Sequence, residues 1–239
     1  MNTYVFFHIG SDSWQPDILV RSIRLSDYDS EVIQVSDQSS PSVKGINYRH
    51  NISGNNANLM SMRLLGFGDL KLKKPAIYLD TDMIVVRECD PIKILDGKKI
   101  CMCARSFNKG AIFNSSFRGM NLAEYRGMTL NDVYPYIACS TVTESYAEWD
   151  TLASILDELD PKFRVWYGDQ ESLKSYASQW SGSVTFMPES EFGCLPEYYK
   201  ESSAARILHF KGEQRKSLMK QYATALLDTQ SRPENGKQK

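Results

Sequence analysis

Two aspartates interrupt an otherwise apolar stretch of this 239-residue chain. Pro75-Ala76-Ile77-Tyr78-Leu79 runs into Asp80-Thr81-Asp82 and on into Met83-Ile84-Val85-Val86. An Asp-x-Asp spacing alone says little, since 16 aspartates give about one such spacing by chance. Asp27-Tyr28-Asp29 is another, and there a polar turn leaves both carboxylates solvated. At 80 and 82 the context differs, because two carboxylates beside an apolar strand repel each other and resist desolvation. A divalent cation removes that conflict, and hard oxygen donors suit Mn²⁺ or Mg²⁺. The competing reading is a capped or salt-bridged turn.

Two downstream features carry chemistry of a compatible kind. Asp169-Gln170 follows Phe163-Arg164-Val165-Trp166-Tyr167-Gly168 and opens a helical pattern. It reads either as an acidic helix start that complements the helix dipole or as a carboxylate and an amide facing a substrate. His209-Phe210-Lys211-Gly212-Glu213-Gln214-Arg215-Lys216 follows Ile207-Leu208. A neutral His209 is a metal ligand. Gly212 lets the backbone approach a phosphate, and Arg215 and Lys216 bring positive charge to it. The alternative is a core histidine beside a solvated charge cluster.

The elements that must position these groups follow from periodicity. Short runs rich in Val, Ile, Tyr and Phe predict strands at Tyr4–Ile9, Val32–Val35, Ala76–Leu79, Met83–Val86, Ile100–Ala104, Tyr136–Thr143, Val184–Met187 and Ile207–Phe210. Helical stripes lie at Trp149, Leu152, Ala153, Leu156 and Leu159, behind a Ser145–Glu148 capping-box spacing, and at Leu173, Tyr176, Ala177 and Trp180. Leu59–Leu65 and Leu218–Leu227 also read as helix, and the polar stretch Asn47–Asn58 as a loop near the site or a plain surface loop. Strands alternating with helices predict an α/β fold with a mostly parallel sheet, whose ligands bind beyond the carboxyl ends of the strands.

Composition bounds the rest. With 28 basic and 29 acidic residues the net charge is −1, so no global field draws in nucleic acid or anionic lipid. No stretch is long and apolar enough for a membrane span, and the N-terminus reads as a first strand rather than a signal peptide. Five cysteines without a C-x-x-C pair read as reduced core residues, which predicts a cytoplasmic protein. No internal repeat divides the chain. One domain is expected over residues 1–227, and 228–239, free of apolar side chains, is expected as a frayed tail.

Together the motifs resemble a known family. Tyr78-Leu79-Asp80-Thr81-Asp82-Met83-Ile84-Val85 looks like the Y-L-D-x-D-x-x-V box of retaining sugar-nucleotide glycosyltransferases with the GT-A fold. The resemblance is to the glycogenin and lipooligosaccharide galactosyltransferase family, glycosyltransferase family 8. Arg63-Leu64 matches the R-L pair before the box, Asp169-Gln170 the downstream D-Q pair, and His209-x-x-Gly212-x-x-Arg215 the closing H-x-x-G-x-x-K box. The order is that of the family and spans roughly residues 4–216. The family's closing Lys-Pro-Trp stands here as Arg215-Lys216-Ser217, and its F-N-x-G strand as Tyr136-Ile137-Ala138-Cys139-Ser140.

The resemblance implies a single Rossmann-like GT-A domain that transfers a hexose from a nucleotide diphosphate sugar, with UDP favoured, to an acceptor hydroxyl with retention of configuration. It implies that Asp80, Asp82 and His209 hold Mn²⁺, with Mg²⁺ the substitute, and that Asp169 and Gln170 line the reacting sugar. Arg63, Thr81, Gly212, Arg215 and Lys216 would meet the donor. The first strand would end at the base, with His8, Ile9 and Gly10 as backbone edges and Trp14 where the family often stacks a Tyr. Trp14 is equally well a core or surface aromatic. Asp37 would accept from the base or start the turn Gln38-Ser39-Ser40-Pro41. Two other classes compete. A haloacid-dehalogenase-type phosphohydrolase also places D-x-D after an apolar strand, but Leu173 stands where its further acid belongs. A non-catalytic sugar-nucleotide or glycan-binding module on the same scaffold is the other.

Overall fold

The apolar runs build one large sheet. In the computed structural model, which describes residues 1–52, 59–112, 123–164 and 167–230, the sheet holds seven strands. They are β1 (Thr3–His8), β2 (Glu31–Ser36), β3 (Tyr48–Asn51), β4 (Ala76–Leu79), β6 (Ile100–Ala104), β7 (Tyr136–Thr143) and β8 (Val184–Pro188), and they lie in the order β3-β2-β1-β4-β7-β6-β8. Pairings β3–β2, β2–β1, β1–β4 and β6–β8 are parallel, and β7 runs antiparallel to β4 and β6. The expected α/β fold with a mostly parallel, mixed sheet is therefore what forms. Every residue of β1 and β4 is buried, as expected for central parallel strands covered on both faces.

Alternation along β1 divides the interior. Tyr4 and Phe6 join Val32, Ile77 and Leu79 against Leu19, Val20 and Ile23 of helix α1 (Trp14–Ser26). Val5 and Phe7 join Ile33, Val35 and Tyr78 on the other face, under α2 (Leu59–Asp69), α5 (Ala147–Glu158) and α6 (Gly168–Gln179). Phe67, Tyr78 and Trp149 meet there at ring-centroid distances of 4.6–4.8 Å. Short helices α3 (Pro91–Leu95), α4 (Leu130–Val133) and α7 (Glu189–Phe192) connect strands.

A second, two-stranded antiparallel ribbon does most to position the site. β5 (Met83–Val85) pairs with β9 (Ile207–His209), with Met83 opposite His209. Its Ile84 and Leu208 pack with Phe210 against Met219 and Ala223 of α8 (Glu213–Gln230).

The predicted strands all form, and half of the Ser145–Glu148 capping box does: Ser145 N donates to Glu148 Oε2 at 3.0 Å, while Ser145 Oγ accepts from Ala147 N at 3.3 Å instead of from Glu148 N. Three expectations change. The Asn47–Asn58 stretch holds strand β3, polar because it is the sheet edge, while residues 53–58 lie outside the described residues. No described strand precedes Asp169: Pro161–Phe163 is a 3₁₀ turn, and residues 165–166 lie outside the description. Helix α8 continues to Gln230, taking in the first three residues of the segment composition set apart; 231–239 are not described.

Candidate functional site

Asp80 sits in the turn from β4 to β5, its backbone N–H donating to the Cys139 carbonyl at 2.9 Å. The bond continues the antiparallel β4–β7 ladder one step beyond the Leu79–Ser140 pair. Asp82 ends the same turn, and its carbonyl accepts from Phe210 N at 2.9 Å. The ribbon thus sets His209 beside it, with Nε2 3.5 Å from Asp82 Oδ1. One ligand atom from each of Asp80, Asp82 and His209 lies within 4.8 Å of the others.

Electrostatics shows how poorly these groups tolerate one another. Burial pushes the Asp80 carboxyl up to about 6; Arg63 opposes this and Asp82 adds to it. Burial also works to raise Asp82, but His209 and then Lys216 hold it below the usual carboxylate range. Burial pulls the His209 imidazole down, and Cys139 and Asp82 outweigh it, so the ring keeps its proton above its ordinary range. Cys139 is itself pushed well above a normal thiol by Cys103 and by burial. It stays neutral, and Asp82 is the charged partner of His209. Two half-buried carboxylates and a buried imidazole, crowded together at the cleft, are a donor set that fits a hard divalent cation.

Arg63 joins this corner to the other half of the site. It projects from the buried helix α2 and is 8% exposed. Its Nη1 donates to Asp80 Oδ1 at 2.5 Å, and its Nη2 contacts Asp169 Oδ2. Burial works against the guanidinium, and Asp169, then Asp80, more than restore it. Asp169 lies in the first turn of α6 and is 4% exposed; burial pushes it up while Arg63 opposes. It does not cap the helix. Gly168 brings it close, since a Cβ there would stand 2.8 Å from Leu156 Cδ1 and 3.1 Å from the Phe163 carbonyl. Gln170 accepts on Oε1 from Arg105 Nη2 at 3.3 Å.

A cleft of about 770 Å³ gathers these groups. Asp80, Thr81, Asp82, Arg63, Asp169, Gln170, His209, Gly212, Arg215 and Lys216 all line it. Gly212 has φ +84°, a backbone conformation a side chain would strain. Arg215 is forked onto Glu197, with Nε 3.1 and 3.0 Å from its two oxygens, whereas Lys216 makes a 3.3 Å contact with the exposed Glu213.

The N-terminal group is placed differently, since His8, Ile9, Gly10, Trp14 and Asp37 do not line the cleft. His8 closes β1 with its Nε2 buried and unpartnered, and burial lowers its pKa. Ile9 packs against the α2-side core. Gly10 N donates to Ser40 Oγ at 2.8 Å, and Ser40 Oγ to Asp37 Oδ1 at 2.6 Å. Asp37 also accepts from Ser40 N and Ser39 Oγ, so its carboxylate is occupied by the Ser-rich turn. Trp14 packs against the cluster of Ile84, Phe210 and Met219, and the Lys220 ammonium lies over its ring at 4.5 Å.

Sequence reasoning missed Arg105, Glu189 and Lys211. Arg105 and Lys211 line the cleft, and the fully buried Glu189 accepts from Lys211 Nζ at 2.8 Å. The strand-end rule points to two of them, because Arg105 follows β6 and Glu189 follows β8. All five cysteines are free and buried, and no described helix is long and apolar enough to cross a membrane.

No protein-family model matches the chain, and no curated protein matches it in sequence. Solved structures do match in fold. The glycosyltransferase GlyE of Streptococcus pneumoniae TIGR4 aligns with 99% of this chain and 66% of its own, at TM-score 0.59 and 12% identity. The galactosyltransferase LgtC, solved with donor and acceptor sugar analogs, aligns over 97% and 98% at TM-score 0.52 and 14% identity. The bifunctional glycosyltransferase WbbM aligns over 89% and 46% at TM-score 0.52 and 14% identity. This chain therefore spans just under two thirds of GlyE and under half of WbbM. What these likenesses establish is the fold, an α/β layered domain of the GT-A glycosyltransferase type.

Proposed function

We propose that this protein transfers a hexose from a nucleotide diphosphate sugar, with UDP as the favoured nucleotide, to an acceptor hydroxyl. The observation that carries this reading is the Arg63 bridge, which ties the Asp80–Asp82–His209 corner to Asp169 and Gln170 within one cleft of a GT-A fold. Asp80, Asp82 and His209 would hold Mn²⁺, or Mg²⁺, which supplies Lewis-acid stabilisation of the departing diphosphate. Lys216 faces the same corner and adds positive charge, while Arg215 is committed to Glu197. The Gly212 turn lets backbone come close to the diphosphate. Asp169 and Gln170 line the sugar, and Arg63 opposes the burial that raises the Asp169 carboxyl.

Retention of configuration fits the distribution of carboxylates. Among the described residues lining the cleft these are Asp80, Asp82, Asp169 and Glu213. Two belong to the metal corner, Asp169 is held by Arg63, and the Glu213 side chain is 82% exposed, so no buried carboxylate stands free as a base for direct displacement. The phosphohydrolase reading is not favoured, because its nucleophile would be Asp80, which Arg63 holds, and Leu173 is a buried core residue.

Thermal unfolding with UDP, GDP, CDP and ADP, each with Mn²⁺ or with EDTA, tests the reading. A ligand at about 100 times its dissociation constant adds roughly 2.7 kcal/mol, or about 5–11 °C for a domain of this size. A shift with one nucleotide that requires Mn²⁺ is expected. No shift with any nucleotide would rule the transferase reading out.

A further inference from the structure

Arg63 and Arg105 are both buried in the cleft, at 8% and 7% exposure, yet they are compensated in opposite ways. Arg63 is clamped between two carboxylates. Arg105 donates from Nε to the Tyr134 carbonyl at 2.7 Å and from Nη2 to Gln170 Oε1 at 3.3 Å, both neutral acceptors. Among the described residues no carboxylate hydrogen-bonds it.

Glu189 is the acid whose field reaches Arg105, and both its oxygens are taken. Oε1 accepts from Lys211 Nζ at 2.8 Å, and Oε2 from the N–H groups of Ser106 and Phe107 at 2.8 and 2.9 Å. One buried carboxylate thus stands against two cations on the cleft wall. Both guanidiniums stay charged, but their pKa values move apart: burial lowers that of Arg105, whereas Asp169 and Asp80 raise that of Arg63. A desolvated cation without a counter-charge is costly, and a ligand anion removes that cost.

The anion's type and place follow from the geometry. A guanidinium fork matches a carboxylate in two parallel hydrogen bonds. The contact with Gln170 sets Arg105 at the sugar end of the cleft, apart from the corner that takes the diphosphate. Resting on the nucleotide-sugar reading above, we propose that a substrate sugar is a hexuronate and that Arg105 recognises its carboxylate. The hexuronate enters either as the transferred sugar or as the acceptor, and the experiment separates the two.

Titration calorimetry of the Mn²⁺-loaded protein has a donor arm, UDP-glucuronate against UDP-glucose, and an acceptor arm, methyl glucuronide against methyl glucoside with UDP bound. In one arm the uronate should bind about 10–100-fold tighter than the neutral sugar, the worth of a charge-assisted pair. Arg105→Met should abolish that preference while binding UDP alone within about twofold of wild type; Arg105→Gln, which removes the charge but keeps a polar side chain for the Tyr134 carbonyl and Gln170, serves if the methionine variant does not fold. Equal binding of uronate and neutral sugar in both arms, or a preference that survives Arg105 substitution, overturns the proposal alone. Failure of the wild-type protein to bind UDP removes the nucleotide-sugar reading and this inference with it.

Discussion

His209 Nε2 lies 3.5 Å from Asp82 Oδ1 because β9 pairs antiparallel with β5, putting His209 directly across from Met83. The contact joins distant parts of the chain through backbone ladder geometry, backed by Phe210 N donating to the Asp82 carbonyl at 2.9 Å. The ribbon's own residues, Ile84 and Leu208, are buried against α8. A change at the imidazole alone should therefore leave the ribbon standing. His209→Gln is expected to lower Mn²⁺ affinity at least about tenfold, since one of three protein ligands is lost, with Tm moving by only a few degrees. Titration of Mn²⁺ into both proteins, followed by the EPR signal of the free ion, measures this. Unchanged affinity would remove His209 from the ligand set.

How much of this could be read beforehand depended on what each residue contributes. Strands β1, β4 and β6 are legible because both their faces are covered, leaving near-continuous apolar runs. Strand β3, Tyr-Arg-His-Asn, is an edge strand held by backbone pairing with β2, so its side chains carry no apolar signal. Helix α1 was not anticipated: buried Leu19, Val20 and Ile23 are interspersed with Pro16 and Ser22, too short a pattern to separate helix from strand. At the site, Asp80, Asp82, Asp169 and His209 were legible through motif order. The Glu197 contact that neutralises Arg215, and the lack of a carboxylate on Arg105, are tertiary facts with no local signature.

The metal corner should trade stability for function. Burial raises the folded pKa of Asp80 to about 6, above its unfolded value. A group raised on folding contributes stability that is present below its unfolded pKa and lost as pH rises through the folded one. In EDTA, wild-type Tm should therefore fall relative to Asp80→Asn as pH rises from about 4 to about 7, and the variant should be at least as stable at pH 7.5. With Mn²⁺ and UDP the order should reverse, because the variant has lost a ligand. Parallel Tm–pH curves for the two proteins in EDTA would show that Asp80 is not under strain.

Protons and metal compete for the same atoms. Mn²⁺ needs Asp80 ionised and His209 neutral, and both groups hold protons above their ordinary ranges. Affinity for Mn²⁺ should therefore drop steeply as pH falls from about 7.5 to about 5.5, more steeply than for a site of unperturbed carboxylates, whose protonation lies near pH 4. Titrations at four or five pH values in one buffer series test this. A flat profile over that interval would contradict the protonation states assigned here.

Arg63 is a buried cation tied to two carboxylates, so the fold depends on it. Its side chain is 10% exposed and that of Asp169 is 5%, so removing the arginine strands a buried carboxylate. Arg63→Met should cost about 3–5 kcal/mol, roughly 6–20 °C in Tm for a chain this long. Replacing both partners removes the orphan charge, so Arg63→Met combined with Asp169→Asn should recover much of that loss while activity stays absent. A double variant no more stable than Arg63→Met would mean the arginine acts through its packing within α2 rather than through Asp169.

The two basic residues of the closing box should part company. Arg215 spends its charge on Glu197, an exposed pair worth at most about 1 kcal/mol to the fold. Lys216 lines the cleft, and after His209 its charge helps hold Asp82 below the carboxylate range, so it faces the corner that takes the diphosphate. Lys216→Met should weaken Mn²⁺-dependent UDP binding about tenfold or more, the cost of one charge-assisted contact, and should reduce its salt dependence. Arg215→Met should change UDP affinity less than about threefold. The reverse ranking would place Arg215 on the diphosphate, which requires it to leave Glu197 when the nucleotide arrives. Glu197→Gln would then tighten UDP binding by freeing the guanidinium, whereas with Lys216 as the contact the same substitution leaves UDP affinity unchanged.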